Sequence, residues 1–527
     1  MDRRTFLGTS LAAVTLAAPR IGRAASPGEL LFVPQSDLVV VDPIWTTTEV
    51  TRNHGFMVFD QLYGLDSRFT PHPQMVAGHQ VSANGLQWDL TLREGLKFHD
   101  NTPVLARDAV ASIRRWGSRD GFGRSLLVAT DELSAPDDRT IRFRLKRPFA
   151  LLPMALATPN NMCCIMPERL AKTDAGTQVT EMVGSGPFRF VADERLAGSR
   201  VVYEKFAGYV PRPEAGGDFA AASKQVHFDR VIWNVLPDSA TAAAAMTQGE
   251  FDWWENPTID LLPVLKRSNR LTVAVKDQTG QTGIIRFNHL QPPFDNPAIR
   301  RIVLKAVNQF DCMAAYAGDE PSLIETGVGL FSSASPFVTK AGMDAIGGNA
   351  ADPSKLAAEL KAAGYGGEPI VFMAGQDSRN IAPMALVVGD MLKRMGFNVD
   401  YQAMDWGAVV QRRNNKAPPS QGGWNAFCTY LGGLGNIIPA ANIGLTTGAN
   451  GWAGWWNEPE ADRLIQAWFD APDPDGQKAA CAQLQEVFMR NPAYAPLGLY
   501  QQPTCFKNEL TDVQQGFPVF WGVKRKA

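Results

Sequence analysis

The chain has 527 residues, 45% of them apolar and 20% charged, with a formal net charge of −2. That length calls for two or three domains, and the composition is that of a folded globular protein, which excludes long disorder. A near-neutral balance without a long basic run excludes nucleic acid and an anionic membrane surface as natural partners.

Residues 1–25 read as an export leader. Arg3-Arg4-Thr5-Phe6-Leu7 opens the chain, an apolar run follows to Ala18, and Gly22, Ala24 and Ala25 offer a cleavage site. The paired arginines followed by Phe6 and Leu7 are similar to a twin-arginine signal, which exports folded proteins. The leader holds no cysteine, the first being Cys163, so a lipid anchor near the cleavage point is not expected. No later run of 18 apolar residues exists to span a bilayer.

Residues 30–41 are rich in Leu and Val and predict a buried strand ended by Asp42-Pro43. Alternation over 85–98 and 140–145 predicts two half-exposed strands. Between them, Asn101 suits a tight turn because asparagine tolerates positive φ. Residues 226–235 predict a strand, 240–248 an Ala-rich helix stopped by Gly249, and 251–254 a further strand. A second strand–helix–strand unit spans 369–403. Its helix starts at Pro383 and ends at Gly396, and another helix precedes the unit, capped by Asp352-Pro353 and closed by Gly364. Two more helices are expected over 460–468 and 477–489. Two such units imply two α/β lobes, with ligand space beyond the carboxyl ends of their parallel strands.

The six cysteines form no C-x-x-C pair, so a zinc or redox motif is not indicated. Adjacent Cys163 and Cys164 suit buried packing better than a strained bridge. The six histidines show no metal-type spacing. A phosphate loop, an H-E-x-x-H and a G-x-S-x-G elbow are all missing from the sequence. No enzyme, metal site or cofactor is therefore expected.

Several segments together resemble the family-5 extracellular solute-binding proteins, the peptide, nickel and related binding components of ABC importers. They are Leu92-Arg93-Glu94-Gly95-Leu96-Lys97-Phe98-His99-Asp100-Asn101-Thr102-Pro103, Val183-Gly184-Ser185-Gly186-Pro187-Phe188, Pro292-Pro293-Phe294-Asp295-Asn296 with Arg300-Arg301, and Asp352 through Tyr365. Asn101 stands where the family usually has glycine. The resemblance implies an α/β, two-lobed periplasmic-binding-protein-like fold with a cleft between the lobes and an extra strand-rich subdomain on the first. Lobe I would comprise 26–60, 185–280 and 490–527, its subdomain 61–184, and lobe II 281–489, with hinge crossings near 280 and 490.

The expected ligand residue is Arg379, in the loop before the Pro383 helix. A helix N-terminus and a guanidinium together suit a carboxylate, and the position resembles that of the family arginine gripping a peptide's carboxyl end. Peptide binders of the family usually carry an acidic residue in the segment matching 427–436. This chain has none there, which puts a free α-amino end in doubt unless another acid replaces it. Its glycines would let backbone approach the ligand. Tyr430, Trp424, Trp254 and Trp452 are the aromatic cleft candidates, and Thr47 is expected to supply a hydroxyl. The function implied is a monomeric, soluble periplasmic receptor that passes a peptide-like or carboxylated solute to the membrane subunits of an ABC importer. The alternatives are an oligosaccharide or nickel-chelate binder of the same fold, and a secreted hydrolase.

Overall fold

The computed structural model describes residues 26–526, apart from 215–216, 319, 349–351, 449–450 and 472. The export leader lies outside the described residues.

Three sheets organise the chain. The first has seven strands in the order Leu271–Val275, Pro503–Lys507, Trp253–Trp254, Glu29–Val33, Arg230–Asn234, Arg200–Lys205, Phe188–Phe190. Its centre is parallel: Glu29–Val33 runs alongside both Arg230–Asn234 and Trp253–Trp254. The predicted strand–helix–strand unit is therefore present, with Glu29–Val33 inserted between its two strands. Asp238 caps the connecting helix Ser239–Gln248 by accepting from Thr241 N at 2.7 Å, and Gly249 ends it at φ 83°.

The second sheet has six strands in the order Ile324–Glu325, Tyr494–Tyr500, Gln281–Phe287, Ala426–Gly432, Pro369–Gly375, Asn398–Met404. The unit Pro369–Gly375, Ala382–Arg394, Asn398–Met404 is as the periodicity predicts, with seven parallel residue pairs in register. All seven residues of Gln281–Phe287 are buried. That includes Arg286, whose guanidinium donates to the carbonyls of Ala453, Gly444 and Ala493 at 2.8, 2.9 and 3.1 Å. A third, antiparallel sheet, Val76–Val81, Gln87–Leu92, Thr140–Leu145, Thr130–Ser134, stands apart from both.

Two expectations need correction. The strand expected over 30–41 stops at Val33. Pro34 follows, and the next segment is held by side chains instead of a sheet: Thr51 Oγ1 donates to Val40 O at 2.6 Å and Arg195 donates to Leu38 O. The second crossing between the large sheets falls at 501–502, later than 490, because Tyr494–Tyr500 is an inner strand of the six-stranded sheet. The first crossing is 276–280.

The recognisable sequence segments turn out to be joints. His99 N donates to Gly184 O at 2.9 Å, and Gly184 N donates back to His99 Nδ1 at 3.2 Å. The other ring nitrogen lies 3.0 Å from Gly186 O, so a proton on Nε2 satisfies both contacts. Burial holds the imidazole neutral, lowering its pKa to about 4. Gly184 and Gly186 allow the approach: a Cβ at 184 would lie 1.9 Å from Val58 O. Asn101 makes its turn at φ 67°.

The lobes are in contact. Phe122 and Phe149, beside the four-stranded sheet, pack on Phe469 with ring centroids 5.6 and 5.5 Å apart. Arg147 pairs with Asp470 on the same helix. These contacts join the lobes on one side, and a cavity lies between the two large sheets.

Candidate ligand-binding site

The gap holds about 650 Å³ of space, counting the part open to solvent at its mouth. It lies beyond the carboxyl ends of Glu29–Val33 and Trp253–Trp254, the position expected of an open parallel sheet. Its walls come from the helix Glu49–Val58, the loop after Trp254, both crossings, Gly432 to Leu434, and 516–518.

The helix Glu49–Val58 presents Glu49 and Arg52 to the cavity, three residues apart and so on one face. Arg52 is 7% exposed. Its Nε and Nη2 donate to Asn53 Oδ1 at 3.3 and 3.2 Å, and its guanidinium lies 3.9 Å over the Phe517 ring. Glu255 is 4% exposed. It accepts from Asn53 Nδ2 at 2.7 Å and from Gln35 N at 2.8 Å. Gln35 also donates from its side chain to Glu49 at 3.2 Å. Burial pushes the Glu255 carboxyl up to about 7, and the nearby Glu49 charge pushes the same way, against the Gln35 N–H and Arg52.

The remaining charged wall groups are already engaged. Lys276 Nζ donates to Val513 O at 2.9 Å, and Asp277 accepts from Thr279 N and Oγ1 at 2.9 and 2.6 Å. Trp253 supplies an aromatic wall, its Nε1 donating to Thr504 Oγ1 at 2.7 Å.

None of the six residues expected from sequence lines this cavity, although three have near neighbours that do. Arg379 is exposed and donates to Ser239 Oγ, at the start of a lobe I helix, so it bridges the lobes from the second side. Trp254 points away from the cavity into a satellite core with Ala242, Met246 and Leu262, while adjacent Trp253 faces in; successive strand residues alternate faces. Trp424 is fully buried, donating to Arg413 O at 3.0 Å. Trp452 lies under the Arg286 and Arg413 guanidinium groups at 4.8 and 5.7 Å. Tyr430 packs near Tyr500, ring centroids 6.3 Å apart, and burial raises its phenol pKa. Thr47 is exposed, two residues before Glu49. The glycine run does reach the cavity at Gly432 and Gly433, but its tightest approach is to the chain crossing: a Cβ on Gly433 would lie 2.1 Å from Thr279 O.

Residues 70–431 match the family model described as bacterial extracellular solute-binding proteins, family 5 middle. The chain belongs to this family. As a family-5 protein it is a binding component and not an enzyme. It is 32% identical, over 100% of its length and 99% of the relative's, to a probable peptide ABC transporter periplasmic-binding protein, y4tO, of Sinorhizobium fredii. It is 23% identical to the glutathione-binding protein GsiB of Pectobacterium atrosepticum, over 81% of this chain and 79% of that one. Among solved structures it resembles the Helicobacter pylori periplasmic binding protein DppA in complex with peptide STSA. That match has a TM-score of 0.79 and 19% identity, covering 95% of this chain and 98% of the other. Among the described residues, no helix is long and apolar enough to cross a membrane, and no group of three or more His, Cys, Asp and Glu side chains is placed to hold a metal.

For this family-5 protein the Glu255 carboxyl gives a pH test. Its pKa is raised from 4.5 to about 7, so folding favours the protonated form. The stability this group contributes is full below about pH 4.5 and is lost as pH rises through about 7. Glu255→Gln mimics the protonated side chain. The ligand-free variant should match the parent in melting temperature near pH 4.5 and exceed it by several degrees at pH 8. Parallel curves from paired thermal melts would refute the shift.

Proposed function

We propose that this chain is the periplasmic receptor of an ABC importer for a peptide-like solute bearing a carboxylate. The observation that carries this reading is Arg52. It is a buried guanidinium on the wall of the interlobe cavity, and its side-chain hydrogen-bond partner is a neutral amide. A buried guanidinium that makes no direct ion pair keeps its donors open to a carboxylate, and a ligand carboxylate fits it with bidentate geometry. The transporter role and the peptide class are supported by the name of the relative from Sinorhizobium fredii and by the peptide complex of the H. pylori protein. Arg379 fits a role in closure, since it reaches from one lobe to the other.

Thermal melts of the purified protein with a panel of di- and tripeptides test the reading. A ligand that binds only the native state raises the melting temperature with concentration. No shift across the panel, together with no small molecule retained in native mass spectrometry, would refute it.

Export is assigned to the twin-arginine route, supported by Arg3, Arg4, Phe6 and Leu7. Changing both arginines to lysine should leave full-length precursor in the cytoplasm. Unchanged processing, read by immunoblot of cell fractions, would refute that route.

A further inference from the structure

We propose that the solute carries a free α-amino-acid headgroup, an ammonium and a carboxylate on one carbon, gripped by Arg52, Glu49 and Glu255 on the lobe I wall. This rests on the receptor reading above and specifies the chemistry that its cavity selects.

The argument starts from charges that are close together but do not pair. Elsewhere the fold gives several buried carboxylates a cation: Asp42 has Arg115 at 2.7 Å, Asp60 has Lys224 at 2.6 Å, and Asp252 has Lys507 and Arg525 at 2.8 and 2.9 Å. The cavity wall differs. Among the described residues, the side-chain hydrogen bonds of Arg52 and Glu255 are with amides, and neither takes part in a direct ion pair.

Asn53 keeps the two apart. Its side-chain oxygen accepts from Arg52 while its side-chain nitrogen donates to Glu255. Gln35 serves the acidic side in the same way, bonding Glu255 through its backbone and Glu49 through its side chain. The result is a positive point beside an acidic one, both on the wall of the same gap. A ligand that matches it presents the opposite charges at the same short spacing.

Spacing decides the ligand class. Glu49 and Arg52 sit one helical turn apart, with Cβ atoms about 5–6 Å from each other. An α-amino-acid headgroup has its two charges on one carbon. The termini of an ordinary α-linked peptide move apart by about 3.3–3.6 Å with each residue. The compact zwitterion fits one wall, whereas separated termini do not. The grip also supplies the acidic partner that the 427–436 segment lacks, from the opposite lobe.

Glutamylglycine isomers separate these cases, because γ- and α-linked forms share formula and charge while only the γ-linked form keeps ammonium and carboxylate on one carbon. Calorimetric titration of the full purified chain should show γ-glutamylglycine binding at least tenfold more tightly than α-glutamylglycine. N-acetylation of the γ-isomer should cost at least tenfold. Glu49→Gln and Glu255→Gln should each reduce that acetylation penalty without preventing folding, read by circular dichroism. Peptides that bind with no γ preference or no acetylation penalty overturn the headgroup and leave the receptor reading standing. A panel in which no peptide binds overturns both.

Discussion

Lys224→Met should destabilise the protein by about 3–5 kcal/mol, the usual cost of stranding one member of a buried ion pair. Lys224 and Asp60 have side chains that are 0% and 1% exposed and meet at 2.6 Å. Asp60 is the centre of a joint. Beyond the lysine it accepts from Tyr209 Oη and Gln61 N, both at 2.8 Å, and its own N–H donates to Ser185 Oγ at 3.0 Å. The lysine ammonium also lies 4.9 Å from the Trp521 ring. Methionine keeps the apolar stem and the φ of 58° at this position, so the loss reports the charge. Chemical denaturation of both proteins measures it. The double variant Asp60→Asn with Lys224→Met should recover much of the loss, because no bare charge remains. A single variant within about 1 kcal/mol of the parent would show that water or a nearby group compensates Asp60.

Arg52→Ala should weaken binding of a carboxylated ligand by at least thirtyfold. Removing one partner of a buried, hydrogen-bonded charge contact typically costs 2–5 kcal/mol, and each 1.4 kcal/mol is a factor of ten. Unlike Lys224, Arg52 makes no direct ion pair within the fold. The apo variant should therefore keep or gain stability while losing affinity, the trade common at binding sites. Arg379→Ala makes the contrast. Its contact with Ser239 is exposed, so closure weakens by only about two- to fivefold. If Arg379→Ala were the more damaging change, the carboxylate grip would belong to the loop before the second-lobe helix and not to Glu49–Val58. Isothermal titration of both variants with one tight ligand decides the point.

Much of the fold was legible because periodicity and punctuation agreed. The unit from Pro369 to Met404 has an apolar strand, a helix with Pro383 in its first turn, a glycine stop and a second strand, and each signal names the same structure. The 30–41 segment misled because Leu38 and Val41 are buried as a strand's would be, but in a loop held by Thr51 and Arg195. The site was legible only to the level of which loops approach it. Thr47, Trp254 and Tyr430 lie within two residues of Glu49, Trp253 and Gly432, which do line the cavity. A one-residue error in a strand turns the side chain to the other face. Glu49–Val58 was missed because it buries Thr51, Arg52, Asn53 and His54 together with its apolar residues. Such a helix shows no clean apolar stripe, because its buried polar groups answer to partners distant in sequence, Arg52 to the cavity and His54 to Tyr203, which no local pattern encodes.

All six cysteines are free and buried: Cys163 and Cys164 beside the four-stranded sheet, Cys505 in the seven-stranded one, and Cys312, Cys428 and Cys481 around the six-stranded one. Desolvation raises the pKa of each thiol, so none is a ready nucleophile in the native state. The mature fold can thus be completed in a reducing compartment, with no oxidant and no isomerase. Each structural layer also carries its own silent reporter. An alkylating reagent that marks one layer before the others would reveal which part of the molecule loosens first, with no label engineered into it.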